Sequence, residues 1–277
     1  MRLRSLTAAD IPAVMQLKDA AGWNQTAADW LRFLHANPSG CFAADEDGNL
    51  VGTATSIIYE RRVAWIGMLI VHQRWRGRGI GSALLERTMR YLDACGVPCM
   101  KLDATPQGRP LYEKFGFTVE YDIERHRLVR TPRPSRDLVT APPLDHVVRL
   151  DRDVFGVDRA TLLRSLAHDA PELVQVDADD SGVAGYTFGR RGSLADQLGP
   201  WVSTSAAGAE RLLDGFLSRS TAARVFVDCV RPNPWALPLV RARGFEHSRR
   251  LTRMYCGAND HPGRPEHQGG TLGPEFG

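Results

Sequence analysis

The chain has 277 residues, of which 43% are hydrophobic and 24% charged, and a net charge of +3. That length exceeds one compact α/β domain, so two domains are expected, and so mild a charge speaks against a nucleic-acid partner, which calls for a stronger basic stripe. No apolar run approaches membrane-spanning length, and polar Thr7 and Asp10 interrupt the start "MRLRSLTAADIPAVM". Neither a membrane partner nor a secretory leader is therefore expected, and a cytoplasmic protein is the default.

In chain order, Thr7 and Asp10 have capping-box spacing, and Ile11, Val14 and Leu17 follow at helical spacing. Thr26 and Asp29 repeat the device ahead of "WLRFL". After Pro38 the pattern turns to strands: two apolar runs flank Asp47-Gly48-Asn49, which reads as a hairpin, and "AWIGMLIV" reads as a buried strand. A glycine segment then feeds a helix expected from about Ser82, with Leu84, Leu85, Thr88, Met89 and Leu92 on one side and Gly96 past its end. A strand "PCMKLDA", a short helix "RPLYEKF" and a strand "FTVEYDIERHRL" complete the order ααβββαβαβ.

Residues 130–143, "RTPRPSRDLVTAPP", hold four prolines and read as a linker. Beyond it the pattern partly returns: "SGVAGYTFGRRG" echoes "NLVGTATSIIYERR", "LGPWV" stands for "IGMLIV", "VFVDCV" for "CMKLDA", and "PLVRARGFEHSRRLTRM" for the closing helix and strand. The expected organisation is a domain over 1–130, a linker over 131–143, a second copy over 144–257 and a flexible tail over 258–277, which lacks a core pattern. The five cysteines, odd in number and without zinc-site spacing, are expected to be buried thiols, and no metal site is expected.

The segment "VHQRWRGRGIGSALLERTMRYL", residues 71–92, carries the clearest chemistry. A strand ending at Val71, a glycine-rich turn and a helix start put successive backbone N–H groups at the positive end of a helix dipole, where phosphate oxygens bind. Gly77, Gly79 and Gly81 permit positive φ and close approach, and Arg76 and Arg78 add charge. A Walker loop is excluded, since no Gly-Lys-Ser/Thr is present, and a Rossmann loop would follow the first strand of a parallel unit rather than three antiparallel ones.

With Arg76, Gly79 and Gly81 in these places the chain resembles the GCN5-related N-acetyltransferase (GNAT) superfamily over about its first 130 residues. "GWNQT", "IGMLIVHQRWRGRGIG" and "LDATPQGRPLYEKFGF" resemble more narrowly a tandem branch with a degenerate second copy. The resemblance implies an α/β (α+β) chain of two fused GNAT folds, each a mixed, mostly antiparallel sheet flanked by helices. It implies acetyl-CoA as co-substrate, with the backbone of Arg76, Gly77, Arg78, Gly79, Ile80, Gly81 and Ser82 around the pyrophosphate. The strand from Met68 through Leu69 to Val71 would lie along the pantetheine arm, and the N–H near Leu69 would face the acetyl oxygen.

In such enzymes an amine attacks the thioester directly, so an acid for the sulfur and a route for the amine proton are needed. By resemblance Tyr112 is the acid, although Leu111, Tyr112 and Phe115 also form an ordinary packing face. The asparagine that many relatives place before that tyrosine is missing from "ATPQGRPLY", leaving Thr105 or Gln107 as stand-ins. Asp103, at the end of its strand, and Glu60, on the strand before "AWIGMLIV", are both candidate bases, directly or through water, and both also read as solvated carboxylates; His72 reads as a loop residue. Trp23, Asn24 and Gln25, between the first two helices, either cover the acceptor or use Trp23 as a staple against Trp30.

The second copy lacks the glycines, having only "STSAAGAE", so one cofactor site per chain is expected, with the second copy shaping the acceptor cleft. Arg190, Trp201, Asp228 and Asn233 face that cleft or serve the structure. The expected activity is N-acetyl transfer to the primary amine of a small molecule, by a monomeric pseudo-dimer or a homodimer. A non-catalytic acyl-CoA-binding module, or a protein or aminoacyl acceptor, remains open.

Overall fold

The computed structural model describes residues 1–132, 142–179 and 182–277, so most of the expected linker lies outside the described residues. In chain order the elements are β1 (Arg2–Ser5), α1 (Ile11–Ala20), α2 (Ala27–Ala36), β2 (Phe42–Glu46), β3 (Asn49–Tyr59), β4 (Val63–Val71), α3 (Ile80–Ala94), β5 (Cys99–Ala104), α4 (Arg109–Lys114) and β6 (Thr118–Val129). They continue as α5 (Asp145–Phe155), α6 (Ala160–Asp169), β7 (Gln175–Asp179), β8 (Gly182–Arg191), β9 (Asp196–Ser203), α7 (Ala206–Arg219), β10 (Arg224–Val230), α8 (Ala236–Ala242), β11 (Glu246–Gly257) and β12 (Gln268–Gly270). The expected order is present, preceded by β1, an edge strand too short and polar to announce itself, which pairs antiparallel with β2 from Arg2↔Asp45 to Ser5↔Phe42.

Both capping boxes form: the Thr7 and Thr26 N–H groups donate to Asp10 and Asp29, each at 2.8 Å. The Asp47-Gly48 turn joins β2 to β3 with both residues at positive φ (49° and 77°), the two-residue geometry whose twist matches the flanking strands. The cysteines are all free thiols; Cys41, Cys99 and Cys229 are buried, Cys95 and Cys256 half-buried.

The chain divides into two compact units, though not at the expected boundaries. The first comprises Met1–Val119, Met254–Asp260 and Phe276; the second comprises Glu120–Arg253, His261–Glu275 and Gly277. From Glu120 onward β6 therefore belongs to the second unit, where it pairs antiparallel with β10 from Val129↔Arg224 to Ile123↔Val230. The Met254–Gly257 end of β11 belongs instead to the first unit, where it lies next to β5, and the Ala258 N–H just beyond it donates to the Pro98 carbonyl at 2.9 Å. Each half of the sequence ends in a short helix, a Gly-Phe and an alternating strand, so local pattern cannot tell which sheet takes which strand. Long-range pairing makes that choice.

In the first unit, order β1-β2-β3-β4-β5, all neighbours are antiparallel except β4 and β5. α3 covers this sheet with the side foreseen: Leu84, Leu85, Thr88 and Leu92 are buried, and Met89 packs beside them. Phe276 also belongs here, stacked on Phe33 with ring centres 4.7 Å apart. In the second unit α7 covers β8, β9 and β10 through Leu212, Leu213 and Phe216, against Leu198, Val225 and Val227.

The expected flexible tail over 258–277 is not found. β12 lies between β9 and β10, with Gly270 opposite both Trp201 and Cys229, and Gln268, Thr271, Leu272 and Glu275 are buried. The segment has no amphipathic pattern because it is held by strand pairing and by glycines that let its backbone approach closely. A Cβ at Gly269 would stand 2.8 Å from the Trp201 indole. Gly269→Val is therefore expected to destabilise the protein by about 1–3 kcal/mol, the usual penalty of overpacking, read as a lower urea midpoint.

Candidate functional site

The site begins with a fault in β4. Against β3 the register runs Thr55↔Gly67 and then Thr53↔Ile70, so Met68 and Leu69 together oppose the single residue Ala54. This β-bulge puts Met68 at φ 51°, a conformation that costs a non-glycine residue about 1–2 kcal/mol. The Thr53 hydroxyl donates to the Met68 carbonyl at 2.8 Å and holds it there. The bulge also resets the alternation: Ala64 and Ile66 before it, and Leu69 and Val71 after it, all pack on the α3 side.

β4 and β5 pair in parallel from Val63↔Cys99 to Trp65↔Lys101, and there the pairing stops. Beyond it the backbone of Gly67–Val71 and that of Leu102–Ala104 form the two sides of a wedge, with Leu69 on one of them. Asp103 is on the other. Leu102 and Ala104 belong to the α3-side core, so alternation turns Asp103 to the opposite face, where it is half-buried.

Val71 leads into the glycine segment. The His72 ring nitrogen accepts from the Arg74 N–H at 3.3 Å and caps a short 3-10 turn, so His72 has a structural task in the loop. Arg76 Nε donates to the Val71 carbonyl at 3.0 Å, and the Arg78 guanidinium lies 4.6 Å from the Trp75 ring centre. Gly77 and Gly79 have φ of 77° and 80°, and nothing lies within 4 Å of where a Cβ would stand on either. Their backbone conformation, not crowding, is what selects glycine there, and the space outside them is open. α3 starts at Ile80, two residues earlier than expected, because Gly79 itself adopts the left-handed cap. No side chain caps that terminus and no acidic residue sits in its first turn, so the first N–H groups, the dipole and the exposed arginines all favour an anion.

Tyr112, on α4, is half-buried, meets Phe117 edge-to-face at 5.9 Å and packs on the same core cluster as Leu69. Burial pushes its phenol well above the usual value. The Thr105 hydroxyl accepts from the Gly108 N–H at 3.1 Å, which commits it to the turn before α4, while Gln107 is exposed.

One expected placement needs correction. Glu60 is not on a strand but in the β3–β4 turn, with φ 49° beside Arg61 at 57°, and it is exposed. It joins β4 at Val63, the end where β4 and β5 still pair; at about 3.3 Å per residue the bulge is about five residues further along. Asn24 and Gln25 lie between α1 and α2 as expected and are buried, with the preceding Trp23 carbonyl accepting from the buried Lys18 ammonium at 3.3 Å. Trp23 is half-buried and Trp30 fully buried. Sequence reasoning missed Thr53, since nothing local signals a bulge set by cross-strand register.

The second unit repeats the bulge and cancels its uses. Gly189↔Leu198 followed by Thr187↔Trp201 puts Gly199 and Pro200 where Met68 and Leu69 stand, and proline has no N–H to offer. The start of α7 is capped by Ser205, which accepts from the Gly208 N–H at 3.1 Å. Asp177 lies beside it, with Oδ2 2.6 Å from the Cβ position of Gly208. β9 and β10 also stop pairing after Leu198↔Val227, but here β12 fills the gap and the Thr271 N–H donates to the Asp228 carbonyl at 3.0 Å. Arg190, Trp201, Asp228 and Asn233 are all buried. Asn233 caps α8 by accepting from the Trp235 and Ala236 N–H groups.

Comparison with known proteins shows which family the two units resemble. Residues 11–117 match the Acetyltransferase (GNAT) family and residues 147–270 the Acetyltransferase (GNAT) domain. A holothin acyltransferase from Pseudoalteromonas sp. (strain SANK 73390) is 25% identical, the match covering 86% of this chain and 82% of that protein. A mycothiol acetyltransferase from Nocardiopsis dassonvillei is 31% identical over 54% of this chain and 51% of its own. In fold, a crystal structure from Pyrococcus horikoshii superposes with a TM-score of 0.83 at 24% identity, over 100% of this chain and 95% of that one. Among the described residues no helix is long and apolar enough to cross a membrane.

Because Gly79 is held at φ 80° with open space around it, Gly79→Ala is expected to cost about 1–2 kcal/mol of stability without any clash, measured by urea denaturation.

Proposed function

Since the chain belongs to the GNAT acetyltransferase family, with two GNAT domains in tandem, we propose that the first unit binds acetyl-CoA and transfers its acetyl group to the primary amine of a small molecule. The observation that carries this reading is the contrast between the two units. The first keeps an uncapped helix start, a glycine loop with open space and a bulge with an N–H to offer, whereas the second has lost each of them.

Acetyl-CoA supplies a thioester whose carbonyl carbon an amine can attack. The backbone N–H groups from Gly77 to Ser82 hold the pyrophosphate, with Arg76 and Arg78 adding positive charge; Arg76 is oriented by its bond to the Val71 carbonyl. The Leu69 N–H, released from a regular ladder by the bulge, donates to the carbonyl oxygen and stabilises the charge that grows there. Tyr112 gives its proton to the departing sulfur. Burial keeps that phenol protonated throughout the neutral range, at the cost of acid strength. Asp103, on the opposite side of the wedge, takes the amine proton directly or through water, a role for which the position of Glu60 is unsuited. Trp23 offers an apolar edge to the acceptor. Relatives named for acyl transfer to holothin and for mycothiol acetylation support a small-molecule acceptor.

Calorimetric titration of acetyl-CoA is expected to give one site per chain, abolished by Gly79→Glu; two sites would refute the assignment to the first unit. Tyr112→Phe is expected to lower kcat by a factor of about 10² to 10⁴ while leaving acetyl-CoA affinity intact. Full turnover in that folded variant would remove Tyr112 from the reaction. An intact acetyl-CoA site that releases no CoA with any amine would instead make the protein a binding module.

A further inference from the structure

One row of residues crosses the first unit's sheet at the level where β4 and β5 part. Ala54 packs on the α3 side, as do Ala64 and Ile66, so alternation turns Thr53, Thr55, Trp65 and Gly67 to the other face, the one that Asp103 shares. The register sets Thr55 opposite Gly67. Trp65 pairs with Lys101 in the last rung between β4 and β5, and two residues further on, at one level, stand Gly67 and Asp103. Glycine has no side chain, so nothing of β4 rises above the sheet between the Thr55 hydroxyl and the Asp103 carboxyl. The bulge that frees the Leu69 N–H begins at the next residue, Met68.

The two threonines of this face differ. Thr53 uses its hydroxyl on the Met68 carbonyl, 2.8 Å away, whereas Thr55 Oγ1 is buried without a hydrogen-bond partner, on a residue with 0% exposure. A buried polar atom with no partner lowers stability, and valine would fill the same shape without that loss. α1 and α2 both pack against β3. On α2, Phe33 stacks on Phe276, whose carbonyl accepts from the Tyr59 hydroxyl at 2.9 Å, and Tyr59 lies two same-face positions along β3 from Thr55. This face of β3 therefore lies beneath the helical layer that carries the Trp23–Gln25 loop, and an acceptor entering between that loop and the sheet meets the Thr55 hydroxyl.

We propose that Thr55 selects the acceptor by hydrogen-bonding a hydroxyl on the carbon next to the amine-bearing one, which makes the substrate class the 1,2-amino alcohols. This rests on the acetyl-transfer reading above. Placed over Gly67, the amine has the thioester held at the Leu69 N–H ahead of it and Asp103 to one side. Paired strands lie about 4.8 Å apart, so the amine stands about one strand spacing from Thr55. A hydrogen bond of about 2.8 Å takes up more than half of that distance, and the two carbons of a 1,2-amino alcohol span the remainder. A hydroxyl meets that of Thr55 in either sense, donating or accepting.

The test compares turnover of 2-aminoethanol with that of propylamine, which has a methyl in place of the hydroxyl, by thiol release at saturating acetyl-CoA, with acetyl-CoA affinity measured by calorimetry. The native chain is expected to favour 2-aminoethanol by about tenfold or more in kcat/KM, mostly through KM. Thr55→Val should bring the two amines to within about twofold of each other with acetyl-CoA affinity unchanged, and Thr55→Ser should keep the preference. Without substrate, Thr55→Val should hold or raise the urea midpoint, because it removes an unsatisfied hydroxyl. A lower midpoint would mean that the hydroxyl serves the fold and would overturn the proposal, as would equal use of both amines by the native chain or an unaltered preference in Thr55→Val. No turnover of 2-aminoethanol by a chain that binds acetyl-CoA would overturn it and leave the cofactor assignment standing, whereas a chain that binds no acetyl-CoA would overturn both.

Discussion

Two parallel strands that pair for three residues and then part are the constraint on which the first unit's chemistry depends. Parting leaves backbone groups of β4 and β5 without each other as partners, and such groups must find others. The bulge at Met68 and Leu69 aids the parting by bending β4, and it is held by one side chain, the Thr53 hydroxyl on the Met68 carbonyl. The strain at Met68 is local and small, the kind that persists where the surroundings fix it and that gathers at functional sites. At the end of β4 the chain turns through two left-handed glycines into a helix with no side-chain cap. A hydrogen-bonding edge and an anion-favouring terminus are thus set one after the other along a single strand.

The second unit shows the same scaffold with each of those features closed by the chain itself. Its strands part at the equivalent place, but the gap is closed by the chain's own residues 268–271, which pair with β9 and donate to β10. Its helix start is closed by Ser205, with the Asp177 carboxylate alongside. Pro200 removes the N–H from the bulge. Three independent substitutions, in hydrogen bonding, charge and backbone chemistry, act in the same direction. What remains on the face away from α7 is polar and charged, with Arg125 and Asp228 in close pairing. Burying ion pairs seldom stabilises a fold by comparison with apolar packing, so such a face calls for another reason to persist.

The sequence by itself determined a good deal. The capping boxes at Thr7 and Thr26, the Asp47-Gly48 turn, the buried side of α3 and the glycine loop are all local, since each is set by residues within one or two turns of one another, and each was legible for that reason. The repeat was legible because two copies of one pattern recur in one order, and the lost glycines of the second copy, like Pro200 within "LGPWV", can be seen by aligning them.

Tertiary structure alone decided the rest. Which sheet receives β6 and which receives the end of β11 depends on long-range pairing, such as Ile123 with Val230, and the two strands carry the same local signal. The bulge at Met68 is a matter of register with β3, invisible in "IGMLIV". Glu60 reads as part of the strand before "AWIGMLIV", yet a left-handed pair with Arg61 places it in a turn, and the polar residues after Gly257 read as a flexible tail although β12 fits between β9 and β10. For β6, the end of β11 and the closing residues the deciding partner lies far along the chain, where composition and periodicity carry no information.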